Sequence, residues 1–557
     1  MIKFFFLFLI FTIAYIGAFA QQKTYTHTDS LRGSITSERE WWDVLRYDVT
    51  VKPDIPNKTI SGSCLITFKA IKNNSGDSAQ IDLQDPMILD KISIGNSPAA
   101  YRKEGSFYHV KVPVMKVGAV NSFKISFHGM PKISKFAPWD GGWVWTTDSL
   151  GRPWVSPAVQ GLGASSWFPC KDHQSDEPDN GASLSIIVPD DLTGVGNGRL
   201  ISKIKNGNGT TTYKWEVRSP INSYDIIPYI GKYVNFSEVY HGEEKDLDVN
   251  FWSLDYNLDR FKSYIQPDVD LMLKAHEFWM GPYPFNEDGF KIVEAPYLGM
   301  EHQSSIAYGN KFKRGFLGLD RSKTGQGLKW DYIIVHECGH EWFGNNITTK
   351  DIADMWVHEG FTTYSEALYT EYYFGRDAAD EYIAGKFRLI SNDRTVIGNY
   401  GVNNEGSVDM YEKGSSLISM IRLTISNDTL FREILRGLNK DYYHQTVTSN
   451  QVENYISERS GIDFSNMFDQ YLRTKQVPQL SYYYSDDSSK LHIKWDSCIA
   501  GFDMPITHGS LKITPSEQWQ VLNDISKFEK DWIEKHYYIR VKEVKAESMK
   551  DLIPLSK

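Results

Sequence analysis

Four residues between positions 336 and 359 have the types and spacing to hold a metal ion and activate a water. In His336-Glu337-Cys338-Gly339-His340, two imidazoles stand four positions apart. On a helix they share one face, one turn apart. Two imidazoles placed this way can grip one Zn²⁺, and the glutamate between them can act as base. The five-residue pattern alone also arises by chance, so its surroundings matter. Apolar Ile333, Ile334 and Val335 lead into it, as a buried helix requires. Eighteen residues separate His340 from Glu359, in Trp356-Val357-His358-Glu359-Gly360-Phe361. A catalytic zinc takes three protein ligands and keeps a fourth position for water. His336, His340 and Glu359 supply the three, so one Zn²⁺ per chain is expected, with Glu337 as general base. Cys338, on the helix flank, is read as a small buried residue rather than a ligand.

The elements around these residues follow from periodicity. A second helix near Phe361–Tyr373 must carry Glu359 at its start. Glu366 lies seven residues further along the same face, either orienting a ligand or else solvated or paired within the core. Upstream, Asp268–Phe278 has Leu271, Leu273, Ala275 and Phe278 at helical spacing, and Gly281-Pro282-Tyr283-Pro284 ends it. Phe290–Glu294 reads as a strand leading into Gly299-Met300-Glu301. Helices are predicted over Lys413–Leu423, Leu430–Leu438 and Asn450–Arg459, giving an α-rich catalytic lobe over 237–476. Before it, short alternating runs such as Tyr47–Val51, Ser63–Phe68, Phe107–Val112 and Ser122–Phe127 predict a β domain over 21–236, with 21–42 a loose polar lead-in. After it, Leu480–Tyr484, Lys490–Trp495, Ser510–Thr514 and His536–Val544 read as strands of a small β-sandwich over 477–557. The fold class is multidomain α+β.

Three motifs in order carry a family resemblance. The zinc motif with its distant Glu in Trp-x-x-Glu-Gly-Phe, Leu298-Gly299-Met300-Glu301-His302 upstream, and Tyr411-Glu412-Lys413-Gly414 downstream resemble the gluzincin aminopeptidases, the family of aminopeptidase N and leukotriene hydrolase. The resemblance runs from about Tyr47 to about Val477. It implies a saddle-like N-terminal β domain and a thermolysin-like catalytic domain. It also implies that Tyr411 stabilises the oxyanion, that Glu301 binds the substrate's free α-ammonium, and that the backbone of Gly299 hydrogen-bonds the substrate. His302 stands where the family has Asn, and could titrate or simply pack. Gln160, nine positions before Pro169 in Trp167-Phe168-Pro169-Cys170-Lys171-Asp172, matches a Glu or Gln that also meets the amine; the Gln form carries one negative charge fewer. The helical superhelix that ends several relatives is expected to be absent.

Composition limits the alternatives. A chain of 557 residues exceeds one core, and 41% hydrophobic residues exclude general disorder. A net charge of −10 argues against nucleic acid as partner, because phosphate binding needs basic stripes. Residues 1–20, with Lys3 ahead of an apolar run closing on Ala18-Phe19-Ala20, read as a signal peptide. The expectation is an exported protein, periplasmic or secreted, without stable membrane insertion after cleavage. Cys64, Cys170, Cys338 and Cys498 form no disulfide framework. The function expected is a zinc metallo-aminopeptidase acting on peptides with a free N-terminus. A zinc endopeptidase is the competing enzyme reading, against which Glu301 and Gln160 argue. A zinc-free scaffold would not need the ligands, base and tyrosine together.

Overall fold

A computed structural model describes residues 24–74, 76–508, 511–523 and 528–544. The expected signal peptide, 1–20, lies outside these residues. Among them, no helix is long and apolar enough to cross a membrane.

The N-terminal half is β-rich. Trp42–Asp54 pairs antiparallel with Thr59–Ala70 and parallel with Ala182–Pro189, inside an eight-stranded sheet. In Trp42–Asp54 inward Trp42, Val44, Tyr47, Val49 and Val51 alternate with more exposed residues, so one face is buried. A second, four-stranded sheet contains the hairpin Gly142–Thr147/Pro153–Ala158, whose far end delivers Gln160. The lead-in is not loose. His27–Gly33 is a helix capped by Thr26, and Arg39 is wholly buried with its guanidinium on Asp82.

A five-stranded sheet in the order Tyr233–His241, Asp246–Leu254, Phe290–Glu294, Ile306–Tyr308, Gly299–Met300 joins the two halves. The boundary expected at 236/237 falls inside its first strand. Successive residues of this sheet serve different cores. Phe251, Ile292 and Ile306 face the helices of the catalytic lobe, while Trp252, Val293 and Ala307 face the β domain. The edge strand Gly299–Met300 therefore lies where both domains meet.

The helical lobe comprises Gln266–Met280, Tyr332–Gly339, Trp356–Phe374, Arg376–Lys386, Glu412–Ile425, Asp428–Asp441, Ser449–Ser460 and Ser465–Arg473. The first of these buries Val269, Met272, Leu273, Ala275, His276 and Trp279 and leaves Leu271 and Phe278 partly exposed. Leu271 and Leu273, two positions apart, cannot share a helix face, which corrects the expected apolar stripe.

Gln479–Tyr484, Leu491–Asp496, Gln520–Leu522 and Arg540–Glu543 form a four-stranded sheet, and Ile506–His508 pairs with Leu511–Ile513. The strand expected from His536 begins only at Arg540. Lys530–His536 is helical because Ile533 and Tyr537, four apart, are both buried. This β unit shares its core with the helical lobe. All four cysteines are free thiols.

Candidate functional site

Asp331 starts the zinc-motif helix, accepting from the backbone N–H of Ile333 at 3.0 Å, while Tyr308 and Asn310 donate to its carboxylate. The eight-residue helix then presents His336, with His340 as its C-cap residue. Glu359 comes from the first turn of Trp356–Phe374. Gly339 lets the two helices approach, since a Cβ there would lie 2.7 Å from Ser365 Oγ.

Glu359 Oε2 lies 3.6 Å from His336 Nε2 and 3.3 Å from His340 Nε2. Bonds of about 2.0–2.1 Å at tetrahedral angles separate neighbouring ligand atoms by about 3.4 Å, so the trio fits zinc. Glu359 Oε2 is moreover buried without a hydrogen-bond partner, a cost that a bound cation removes. Both rings are held with Nε2 toward this point. His336 Nδ1 meets Glu366 Oε1 at 2.7 Å, and His340 Nδ1 donates to the Phe343 carbonyl at 3.0 Å. Glu366 in turn accepts from Tyr382 at 2.6 Å and from Lys386 at 2.8 Å. Burial works against its charge, yet Lys386 and His336 hold its pKa at about 2. Glu366 thus both orients the ligand His336 and is paired within the core with Lys386. Cys338 is buried, and burial pushes its thiol well above the ordinary range.

Glu337 lies on the same helix, against the edge strand. A Cβ on Gly299 would meet Glu337 Oε1 at 2.8 Å, so only glycine lets the strand pass this close. Burial pushes the Glu337 carboxyl up to about 7, and a dication in the trio would draw it back down. Oxygens of Glu301 and Glu337 and a nitrogen of His340 lie within 4.8 Å of one another.

Glu301 follows the edge strand and is almost fully buried. Its Oε1 accepts from Tyr224 Oη at 3.1 Å and from Gln160 Nε2, and Asn345 fixes its backbone carbonyl at 2.7 Å. Burial, reinforced by the neighbouring Glu359, raises its pKa. Gln160 and Glu301 come from different domains, 141 residues apart.

Tyr411 immediately precedes the helix Glu412–Ile425, its ring stacked near His336 with centroids 6.0 Å apart. Two glycines set this approach. A Cβ on Gly414 would lie 3.0 Å from Gly360 Cα. Gly360 adjoins Glu359, and Gly414 is a turn beyond Tyr411, so this crossing brings ligand and tyrosine together. Burial and the Glu359 carboxylate push the Tyr411 hydroxyl well above its ordinary pKa, which keeps it a proton-bearing donor.

The structure thus gathers His336, His340, Glu359, Glu337, Tyr411, Gly299, Glu301 and Gln160 around one point. His302 does not join them. It is fully buried, its Nδ1 2.6 Å from Tyr229 Oη, and burial drops its pKa to about 3, so it packs as a neutral ring. Sequence reasoning missed Tyr224, Asn345, Tyr382 and Lys386. None stands in a motif; only Lys386 had a signal, as a lysine on an otherwise half-apolar helix face.

Two successive models of one family match the chain. Residues 44–224 match the peptidase M1 N-terminal domain and residues 266–471 the peptidase family M1 domain, together more than half of the chain. Residues before 44 lie outside both. Endoplasmic reticulum aminopeptidase 1 of Mus musculus is 24% identical over 294 residues, covering 50% of this chain and 30% of that protein. Aminopeptidase M1 of Arabidopsis thaliana is 21% identical over 472 residues, covering 80% of this chain and 52% of that protein. The chain spans about half, or less, of the length of these curated relatives. A mutant M1 zinc metallopeptidase from Deinococcus radiodurans, bound to a Tyr-Ser-Ala substrate, superposes with a TM-score of 0.66 at 18% identity, over 79% of this chain and 97% of that one. The same fold recurs in a further crystal structure of that metallopeptidase, with a TM-score of 0.63 at 19% identity over 76% and 91%.

Proposed function

The chain belongs to peptidase family M1, and from that premise we propose that it is a zinc aminopeptidase releasing N-terminal residues from peptides with a free α-amine. The observation that carries this reading is the adjacency of two sites. A three-ligand trio with its base lies beside a buried carboxylate, Glu301, that has hydrogen-bond donors but no ion pair with a Lys or Arg among the described residues. Such a carboxylate is costly unless a positive group completes it, and a substrate ammonium is that group.

When bound, zinc would polarise the scissile carbonyl and lower the pKa of the attacking water. Glu337 takes the water's proton and returns it to the leaving amine. The Tyr411 hydroxyl donates to the oxygen that becomes negative as the tetrahedral centre forms. Glu301 pairs with the ammonium, and Gln160, whose amide nitrogen donates to Glu301, presents its carbonyl oxygen to the same group. The backbone of Gly299, on a sheet edge, hydrogen-bonds the substrate main chain as an added strand would. Export to a periplasm or the medium remains part of this proposal, on the strength of residues 1–20.

A panel of unblocked aminoacyl fluorogenic amides, run with and without chelator, tests the reading. Turnover that chelation abolishes and zinc restores is expected. A chain that releases fluorophore from none of them, with zinc present, contradicts it.

A further inference from the structure

The lead-in ahead of both family models is built into the cleft. Its helix His27–Gly33 touches both walls. On the β-domain side, Arg32 Nη2 donates to the Leu162 carbonyl at 3.0 Å, and Nη1 donates to the Asp172 carbonyl at 3.0 Å and pairs with Asp172 Oδ2 at 2.8 Å. Leu162 lies within the turn that carries Gln160, and Asp172 lies ten residues beyond it. Asp172 Oδ2 also accepts from Ser165 N at 2.9 Å, and Gly163 N closes the turn on the Val159 carbonyl. Gly163 has φ +93°, and a Cβ there would fall 1.9 Å from Arg32 Nη2, so the guanidinium fills the space inside the turn. On the catalytic side, a Cβ on Gly33 would lie 2.0 Å from the Asn403 backbone nitrogen, and Asn399 Nδ2 donates to Tyr25 Oη at 3.0 Å. Those residues belong to the loop that runs on to Tyr411. Between the walls is a small, partly open pocket lined by Arg32, Gly33, Gln160, Tyr224 and Asn403. Among the described residues, Gln160 and Tyr224 are the side chains that donate to the Glu301 carboxylate.

We propose that Tyr25–Gly33 is a strap that fixes the two walls of the cleft at its amine end, with Arg32 a positioning residue that holds the Gln160 turn against Glu301. This rests on the aminopeptidase reading. Guanidinium bonds from the part-buried Arg32 to two backbone carbonyls are directional, which suits a turn whose one task is to aim a side chain. Gly33 does the complementary work, since only a residue without a side chain lets the strap close on the opposite wall.

The test measures kcat and KM of full-length wild type, Arg32→Ala, Arg32→Lys and Gly33→Ala on an unblocked aminoacyl fluorogenic amide and its N-acetyl form, with melting temperatures alongside. Arg32→Ala and Gly33→Ala should each raise KM for the unblocked amide about tenfold with kcat within about twofold, and narrow the preference for the free amine. Arg32→Lys, which keeps the Asp172 pair but not the fork, should recover part of it. Unchanged KM and preference in folded variants overturns the proposal. So does a fall in kcat at constant KM that follows lost folded protein, the mark of a purely structural role. Should wild type show no preference for the free amine, the aminopeptidase reading falls. Hydrogen exchange then judges the strap: faster exchange of amides 159–165 in Arg32→Ala supports it, and unchanged exchange overturns it.

Discussion

The metal end and the amine end of the cleft are held in different ways. At the metal end His336, His340, Glu359 and Tyr411 sit on three neighbouring helices of one lobe, brought together at Gly339–Ser365 and Gly360–Gly414. At the amine end Gln160 and Tyr224 come from the β domain and Glu301 from the shared sheet, so the site exists only when the domains are correctly docked. On the proposed roles, chemistry is fixed within one core and recognition across two. Variants at the metal end should change kcat or metal content, and variants at the amine end should change discrimination.

The largest effect is expected at the base. Glu337→Gln should keep zinc, because all three ligands survive, and lower kcat by about a thousandfold or more. Metal analysis with steady-state kinetics checks this, and near-normal kcat would place the base elsewhere. Tyr411→Phe comes next, lowering kcat on the order of a hundredfold with little change in KM, because its hydroxyl acts mainly as the oxyanion forms. Lys386→Met should act through Glu366 and His336, weakening zinc affinity about ten- to a hundredfold in competition with a chelator. The smallest effect belongs to packing. Gly360→Ala inserts a methyl where helices nearly touch, costing about 1–3 kcal/mol and several degrees in Tm.

How much was legible follows the same division. The zinc ligands and Glu337 could be read from the chain because they lie within runs of one helix or two, where spacing encodes geometry, whereas Tyr411 was reached through the family resemblance. Gly360 and Gly414 lay inside the motifs, but their mutual contact did not show, since a crossing of two helices leaves no period in sequence. At the amine end Glu301 and Gln160 were reached only through the family resemblance. Tyr224 and Arg32 were not reached at all, since their partners lie 77 and 140 residues away. The lead-in read as loose because it is polar, yet there the part-buried Arg32 pairs with Asp172 and the buried Arg39 with Asp82, and composition does not distinguish a solvated charge from a paired one. The helix Lys530–His536 was not predicted, because a seven-residue element offers too few turns to show its period, and the strand expected from His536 therefore began four residues early.

The central claim is that a substrate ammonium completes Glu301. The direct measurement is kcat/KM of the wild-type enzyme on one short peptide with a free N-terminus and on the same peptide after N-acetylation. A buried carboxylate left without its cation costs several kcal/mol, so the account predicts a drop of roughly a thousandfold. Efficient cleavage of internal bonds in the acetylated peptide would contradict it and make the enzyme an endopeptidase, with the zinc trio and Glu337 unchanged.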